Sequence, residues 1–224
     1  MVNEDVPEIV KNQMKFMKSR KKMERVNVNE ITVDIQPYMF PPRSPYSYST
    51  RILLDSLSLN NQRVLEVGVG CGVLSIFAAK QGASYVDGVD ILSECVECSK
   101  KNALINGVFY KTNFYLSDMF SDVRDKYDTI ICNLPILNGE LPDGDPCWYS
   151  LFDPEFKFHR KLFREGKNYS SRIIIAHADL TRNNDFNHLE DLAKQWGWDV
   201  FRMDSKIYCG HEWRGYEFGR VGND

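Results

Sequence analysis

Residues 64–74 read VLEVGVGCGVL, an apolar run that breaks into glycines and then becomes apolar again. This pattern predicts a buried strand, a tight turn and the start of a helix. Glycines in such a turn tolerate positive φ and let a ligand approach the main chain closely. The G-x-G-x-G spacing differs from the dinucleotide fingerprint, which would place its third glycine where Val73 stands. We therefore predict that Gly68, Gly70 and Gly72 form a nucleotide-binding turn of an α/β protein.

A second strand with a terminal carboxylate is predicted about twenty residues further on, where residues 85–90 read YVDGVD. An acid at this distance from a glycine turn can hold both hydroxyls of a ribose. Asp90 is therefore the predicted ribose ligand, and Ile91, which follows it, belongs to the same predicted site. The next helix is predicted over residues 93–106, because Asn106-Gly107 is a helix-ending signal.

Two further predicted strands lead into polar residues. Residues 113–116 read NFYL and precede Ser117-Asp118. Residues 127–132 read YDTIIC and precede Asn133-Leu134-Pro135-Ile136. Both segments supply candidate site residues.

These motifs resemble those of class I S-adenosylmethionine (SAM)-dependent methyltransferases. Glu66 precedes Gly68 by two residues, and the E-x-G-x-G-x-G arrangement resembles motif I of that family. Asn133-Leu134-Pro135 resembles motif IV of the members that modify planar or amide nitrogens, including the release-factor glutamine methyltransferases. The resemblance covers about residues 31–218 and is strongest over residues 64–135.

The resemblance implies SAM as the cofactor. Asp118 would face the adenine amino group, and Thr50 would lie on the helix after a proline-rich bend that closes over the methionine. The implied cofactor-binding residues are Thr50, Glu66, Gly68, Gly70, Gly72, Asp90, Ile91, Asp118 and Asn133.

The resemblance also implies a catalytic segment formed by Asn133, Leu134, Pro135 and Ile136. An Asn side-chain oxygen and the adjacent backbone carbonyl can accept the hydrogens of a planar amino group and aim it at the sulfonium methyl. Pro135 makes this backbone rigid, whereas Ile136 replaces the aromatic residue that the family uses to stack on its target. The candidate substrate residues are Tyr46, Tyr48, Asp145 and His177.

The alternation of strands and helices predicts an α/β fold, namely a seven-stranded Rossmann-like sheet with helices on both faces and an antiparallel edge strand. Helices are predicted over residues 152–163 and 186–196. Strands are predicted over residues 172–177, 198–203 and 213–218. We divide the chain into residues 1–50, an N-terminal basic helix with an extended lid segment, and residues 51–224, the SAM-binding domain.

The N-terminal segment is basic. Seven Lys and Arg residues stand against the single Glu24 between residues 11 and 25, and an apolar helical face is formed by Ile9, Val10, Met14 and Met17. This pattern predicts an amphipathic helix. Such a helix either packs on the catalytic domain as a lid, which we favour, or contacts RNA or phosphate. Residues 27–42 read as extended chain.

Composition favours one globular domain, with 224 residues of which 43% are hydrophobic. No apolar run reaches the roughly 18 residues of a membrane span, and the acidic start is unlike a secretory or transit peptide. We expect a cytoplasmic protein with reduced cysteines and no metal at Cys95-x-x-Cys98. The net charge of -3 argues against extensive nucleic-acid binding.

The sequence therefore predicts a SAM-dependent methyltransferase that acts on nitrogen in a small molecule, a protein or an RNA. Two alternatives stay open, because a fold specifies the cofactor and not the acceptor. One is a SAM-using enzyme that transfers another alkyl group or cyclises its substrate. The other is a catalytically silent SAM-binding partner module. The oligomeric state is left open.

Overall fold

The computed structural model describes residues 6–43, 47–140, 146–180 and 186–220. The helices are α1 (Glu8–Ser19), α2 (Tyr48–Ser56), α3 (Val73–Lys80), α4 (Ser93–Ile105), α5 (Lys157–Gly166) and α6 (Phe186–Gln195). The strands are β1 (Glu24–Val28), β2 (Ile31–Ile35), β3 (Arg63–Val67), β4 (Tyr85–Asp90), β5 (Thr112–Leu116), β6 (Thr129–Cys132), β7 (Arg172–Ala178), β8 (Trp198–Tyr208) and β9 (His211–Arg220).

Seven strands form one sheet in the order β5-β4-β3-β6-β7-β9-β8. The first five are parallel, and β9 inserts antiparallel between β7 and β8. The predicted fold class is confirmed. From β3 the chain runs outward to β4 and β5, then returns to β6 on the other side. The carboxyl ends of β3 and β6 therefore flank the topological switch point, where open α/β sheets bind ligands.

The sheet has a buried apolar layer on each face. Val64 and Ile174 belong to one layer, with residues of α2, α3 and α4. Their neighbours Leu65 and Ile175 belong to the other, with residues of α5 and α6. Strands covered on both faces are expected to carry uninterrupted apolar runs, as at residues 64–65 and 173–176. Helices lie on both faces, as predicted.

The N-terminal segment follows its prediction only in part: the amphipathic helix is observed as α1 with Val10, Met14 and Met17 buried, but it is shorter than predicted. α1 ends at Ser19, and the basic residues beyond it lead into β1, which pairs antiparallel with β2. The hairpin forms because Val26 lies opposite Val33 with both side chains buried, and because Arg25 Nε donates to Asp34 Oδ1 at 2.7 Å. The β-branched pair outweighs the helical charge pattern. The predicted extended segment is confirmed at β2.

The helix predicted from residue 152 begins later, at Lys157. Glu155 and Phe156 have φ of 55° and 53°, a left-handed conformation that interrupts helical hydrogen bonding. Asp153 then caps α5, because its Oδ1 accepts a hydrogen bond from Phe158 N at 2.9 Å. Among the described residues, no helix is long and apolar enough to cross a membrane.

Candidate active site

A cavity of about 930 Å³ lies at the carboxyl ends of β3, β4 and β6. Its volume is at the upper end of the roughly 300–1,000 Å³ range of ligand pockets. The structure brings eleven of the predicted site residues together in its wall: Thr50, Glu66, Gly68, Gly70, Asp90, Ile91, Asp118, Asn133, Leu134, Pro135 and Ile136.

The glycine turn forms the floor of the cavity. Gly68 and Gly70 have φ of +78° and +54°, and a Cβ added to either would meet no described atom within 4 Å. Side chains here would fill the cavity and would strain the backbone. The turn is therefore open to a ligand along its main chain.

Gly72 lies at the N-terminus of α3 and does not line the cavity. Its φ is +82°, and an added Cβ would lie 3.1 Å from Ser99 Cβ of α4. Gly72 is thus needed where α3 passes closely over α4. Its predicted contact with a cofactor stays a prediction.

Asp90 ties the second strand to the glycine turn. Its Oδ2 accepts from Gly70 N at 2.9 Å, and its Oδ1 accepts from Leu92 N at 3.0 Å. Burial raises the pKa of the Asp90 carboxyl, and these backbone hydrogen bonds oppose the shift. Each carboxylate oxygen can accept a second hydrogen bond, so Asp90 can take ribose hydroxyls while it holds the turn. Ile91 beside it is 63% exposed and supplies an apolar surface.

Glu66 is buried at the end of β3. Its Oε2 accepts hydrogen bonds from Ser75 Oγ and, at 2.8 Å, from Ser75 N in the first turn of α3. Burial raises the pKa of Glu66 to about 8, although the Ser75 hydrogen bonds oppose the shift. The carboxyl is therefore largely protonated at neutral pH and joins β3 to α3 behind the glycine turn.

Asn133 lies directly after β6 and is joined to α2. Its Nδ2 donates to Thr50 Oγ1 at 3.2 Å, and Thr50 Oγ1 also accepts from Ser47 Oγ at 2.6 Å. Ser47 caps α2. Because the amide nitrogen is engaged, Asn133 Oδ1 is the group of this side chain that can accept the hydrogens of a substrate.

Asp118 lies at the exposed rim of the cavity after β5. Lys161 Nζ of α5 donates to Asp118 Oδ1 at 3.2 Å. This ion pair positions the carboxylate, and the second oxygen of Asp118 can still accept from a ligand amino group.

Aromatic residues that the sequence reasoning missed line the other side of the cavity. Tyr149 and Phe158 come from the segment that follows Ile136, and Lys157 Nζ lies 5.4 Å and 4.8 Å from the centres of their rings. They offer flat surfaces where Ile136 supplies none. No local signal identifies them, because they reach the cavity only through the turns before α5. The other aromatic residues of the lining are Tyr38, Phe40 and Trp213.

Two predicted substrate residues lie away from the cavity lining. Tyr48 stacks on Tyr208 with ring centroids 4.7 Å apart. His177 is 1% exposed, and its ring centroid lies 5.6 Å from that of His159. Burial lowers the pKa of His177 well below its ordinary value, so the ring is neutral. The other two substrate candidates, Tyr46 and Asp145, are outside the described residues.

A family model described as methyltransferase small domain matches residues 30–148. A protein of Methanocaldococcus jannaschii, provisionally named protein N5-glutamine methyltransferase, is 36% identical over 112 residues, which are 50% of this chain and 54% of that protein. A ribosomal protein L11 methyltransferase of a Shewanella species is 40% identical over 147 residues, which are 64% of this chain and 47% of that protein. This chain thus spans about half the length of these curated relatives.

The fold also matches solved structures. A crystal structure from Pyrococcus horikoshii, provisionally described as an RNA methyltransferase, superposes with a TM-score of 0.61 at 18% identity. The match covers 100% of this chain and 99% of the other. At this identity the likeness shows a common fold.

Proposed function

Because this chain belongs to the methyltransferase small domain family, we propose that it is a SAM-dependent enzyme that methylates a nitrogen atom of a protein or an RNA. The proposal rests on the observation that one cavity contains both the predicted cofactor residues and the predicted catalytic residues. The open glycine turn, the Asp90 carboxylate and Asn133, whose side chain is held by Thr50, all line it. The predicted division at residue 50, with the first part as a lid, remains part of this proposal.

The described residues fit SAM. The glycine turn accommodates a ligand where a Cβ would intrude, and Asp90 faces the cavity with acceptor capacity for a ribose. When bound, SAM supplies an electrophilic methyl group on a sulfonium sulfur. Carboxylates on this side of the cavity suit a cationic cofactor, and these belong to Asp90, Glu94 and Asp118.

The residues after β6 suit a planar nitrogen acceptor. We assign Asn133 Oδ1 and the Leu134 carbonyl to accept the acceptor's hydrogens, which orients the nitrogen toward the methyl group. Pro135 limits movement of that backbone. The walls beside it include Ile136 and Phe158, which exclude water from the reacting atoms. An amide side chain or a base amine has this shape and hydrogen pattern.

The names of the relatives support a macromolecular acceptor. One is named for a glutamine amide nitrogen and the other for a ribosomal protein. The open aromatic side of the cavity, where Tyr149 is 43% exposed, suits a group that projects from a larger molecule. A protein amide is therefore the first acceptor to test, and RNA is the second.

The test begins with binding and continues with transfer. Calorimetry of the full chain with SAM is expected to show saturable binding. Incubation with methyl-labelled SAM should then label the protein or the RNA fraction from cells that lack this gene. Labelling should be lost with Asn133→Ala and kept with Asn60→Ala, a matched change of an exposed residue outside the cavity lining.

Three results would contradict the proposal. Absence of SAM binding would show that SAM is not the cofactor. Binding with no transfer to either fraction would favour a silent SAM-binding module. Methylthioadenosine instead of S-adenosylhomocysteine as the product would favour the transfer of another alkyl group.

A further inference from the structure

Arg20 is a cation at the cavity wall that the catalytic proposal leaves without a role. It directly follows α1. Its Nε donates to Pro37 O at 3.0 Å, and its Nη2 donates to Met39 O. Its Nη1 is enclosed and has no hydrogen-bond partner within the part of the chain that the structure describes. An enclosed donor on a charged group is costly unless a ligand or a water satisfies it.

The segment that holds Arg20 is linked to the glycine turn by hydrogen bonds. Asn102 Nδ2 donates both to Asp34 O at 2.9 Å and to Cys71 O at 2.8 Å. The end of β2 is therefore joined to the turn through one amide group. The chain then continues to Pro37, whose carbonyl fixes Arg20. Arg20 and Cys71 line the same cavity.

The electrostatics of Arg20 agree with this position. Burial lowers the pKa of the Arg20 guanidinium, while the charge of Glu24 acts in the opposite direction. Glu24 is already engaged, since its Oε1 accepts from Arg43 Nη2 at 2.6 Å. Arg20 is thus a partly desolvated cation, and the carboxylate that most raises its pKa, Glu24, has another partner.

The glycine turn itself offers few donors to an anion. The N–H groups of Gly68 and Val69 both donate to Val89 O, at 2.8 Å and 3.0 Å. The N–H group of Gly70 donates to Asp90 Oδ2. Because these amides are engaged and Asp90 is acidic, an anionic group bound beside the turn needs a cation from elsewhere.

We propose that Arg20 binds the α-carboxylate of the methionine part of SAM, with Nη1 as a donor. This inference rests on the proposed function. A carboxylate satisfies the enclosed N–H through a charge-assisted hydrogen bond. Arg20 precedes the matched residues 30–148, so the N-terminal segment would supply this contact and close the cavity over the cofactor. Arg20 would then select ligands that carry the carboxylate.

The test compares ligands with and without the amino-acid part. Calorimetry on the full chain uses S-adenosylhomocysteine and 5′-methylthioadenosine, which are both thioethers. Arg20→Gln is expected to weaken binding of S-adenosylhomocysteine about 10- to 100-fold, the loss of one charge-assisted hydrogen bond. Binding of 5′-methylthioadenosine should stay within a few-fold of the wild type. The matched control is Arg25→Gln, since Arg25 pairs with Asp34 outside the cavity lining and should leave both affinities unchanged.

The ligand alone provides a second test that does not depend on a variant's folding. Wild-type protein should bind decarboxylated SAM about 10- to 100-fold more weakly than SAM. Equal affinities of the wild type for SAM and decarboxylated SAM would overturn the proposal. So would an Arg20→Gln variant whose affinity for S-adenosylhomocysteine equals that of the wild type, or whose affinities for both thioethers fall by the same factor. Failure of the wild type to bind any of these nucleosides would instead refute the proposed function.

Discussion

Replacement of Glu66 by Gln is expected to change how the stability of the protein depends on pH. Burial raises the pKa of Glu66 from 4.5 to about 8. Between these values the folded protein keeps a proton that the unfolded chain releases, so wild-type stability falls as the pH rises. The contribution is fully present below pH 4.5 and is lost as the pH passes through about 8. Gln does not titrate, so residue 66 of the variant does not cause this fall in stability with rising pH.

The size of the effect follows from the slope of about 1.36 kcal/mol per pH unit for one proton. From pH 5.5 to pH 7.5, the free energy of unfolding of Glu66→Gln should rise by about 2.7 kcal/mol relative to the wild type. Gln can still accept from Ser75 N, but its NH₂ group adds donors to a buried site. That cost is independent of pH. The measured quantity is therefore how the difference in free energy of unfolding between variant and wild type changes with pH, and not the size of that difference at one pH.

The assay is denaturant unfolding of both proteins at several pH values, analysed as a two-state transition. Subtraction of the two curves removes the titration of all shared groups. The control is Glu97→Gln, because the Glu97 side chain is 61% exposed and pairs with Lys100 at the surface. Its curve should run parallel to that of the wild type. Parallel curves for Glu66→Gln as well, within about 0.5 kcal/mol, would refute the assignment of a buried protonated carboxyl.

The remaining predictions concern the cofactor and the acceptor. Asp90→Ala should weaken SAM binding about 10- to 100-fold in calorimetry, and an unchanged dissociation constant in a folded variant would remove Asp90 from the site. Gly70→Val should abolish SAM binding while circular dichroism stays near that of the wild type, because a β-branched residue tolerates neither the φ of +54° nor a close ligand. A wild-type thermal shift with SAM would contradict this. Asn133→Ala should keep SAM affinity within a few-fold while kcat falls about 100- to 1,000-fold, and normal turnover would rule out the role of Asn133 in orienting nitrogen.

Local pattern was enough to predict the centre of the sheet. The apolar strand, glycine turn and helix around Gly70 are specified within a few residues of each other, because φ preference and hydrophobic periodicity are local properties. The same holds for Asp90 at the end of its strand. The helix predicted over residues 93–106 is observed as Ser93–Ile105. Similarly, the predicted strand around Ile174 is observed as Arg172–Ala178.

Local pattern misled where a distant partner decided the conformation. The charge run after Ser19 reads as helix, yet the chain there forms β1 because Val26 and Arg25 find partners on β2. Glu66 has the spacing of a cofactor ligand and lines the cavity, where Ser75 engages one of its carboxyl oxygens, and its predicted contact with a cofactor stays a prediction. Such pairings depend on which long-range contacts have the most favourable free energy, and a local sequence pattern does not show this.

The fold class and the residues that end the central strands can be predicted from the amino-acid sequence, since both follow from short-range periodicity and turn chemistry. Which of these strand ends share a cavity, and which residues complete its walls, depends on the packed fold. Arg20, Asn133 and Phe158 are far apart in the chain and line one cavity. Their convergence depends on strand order and helix packing, where many weak, long-range contacts are satisfied together, and no window of neighbouring residues contains that information.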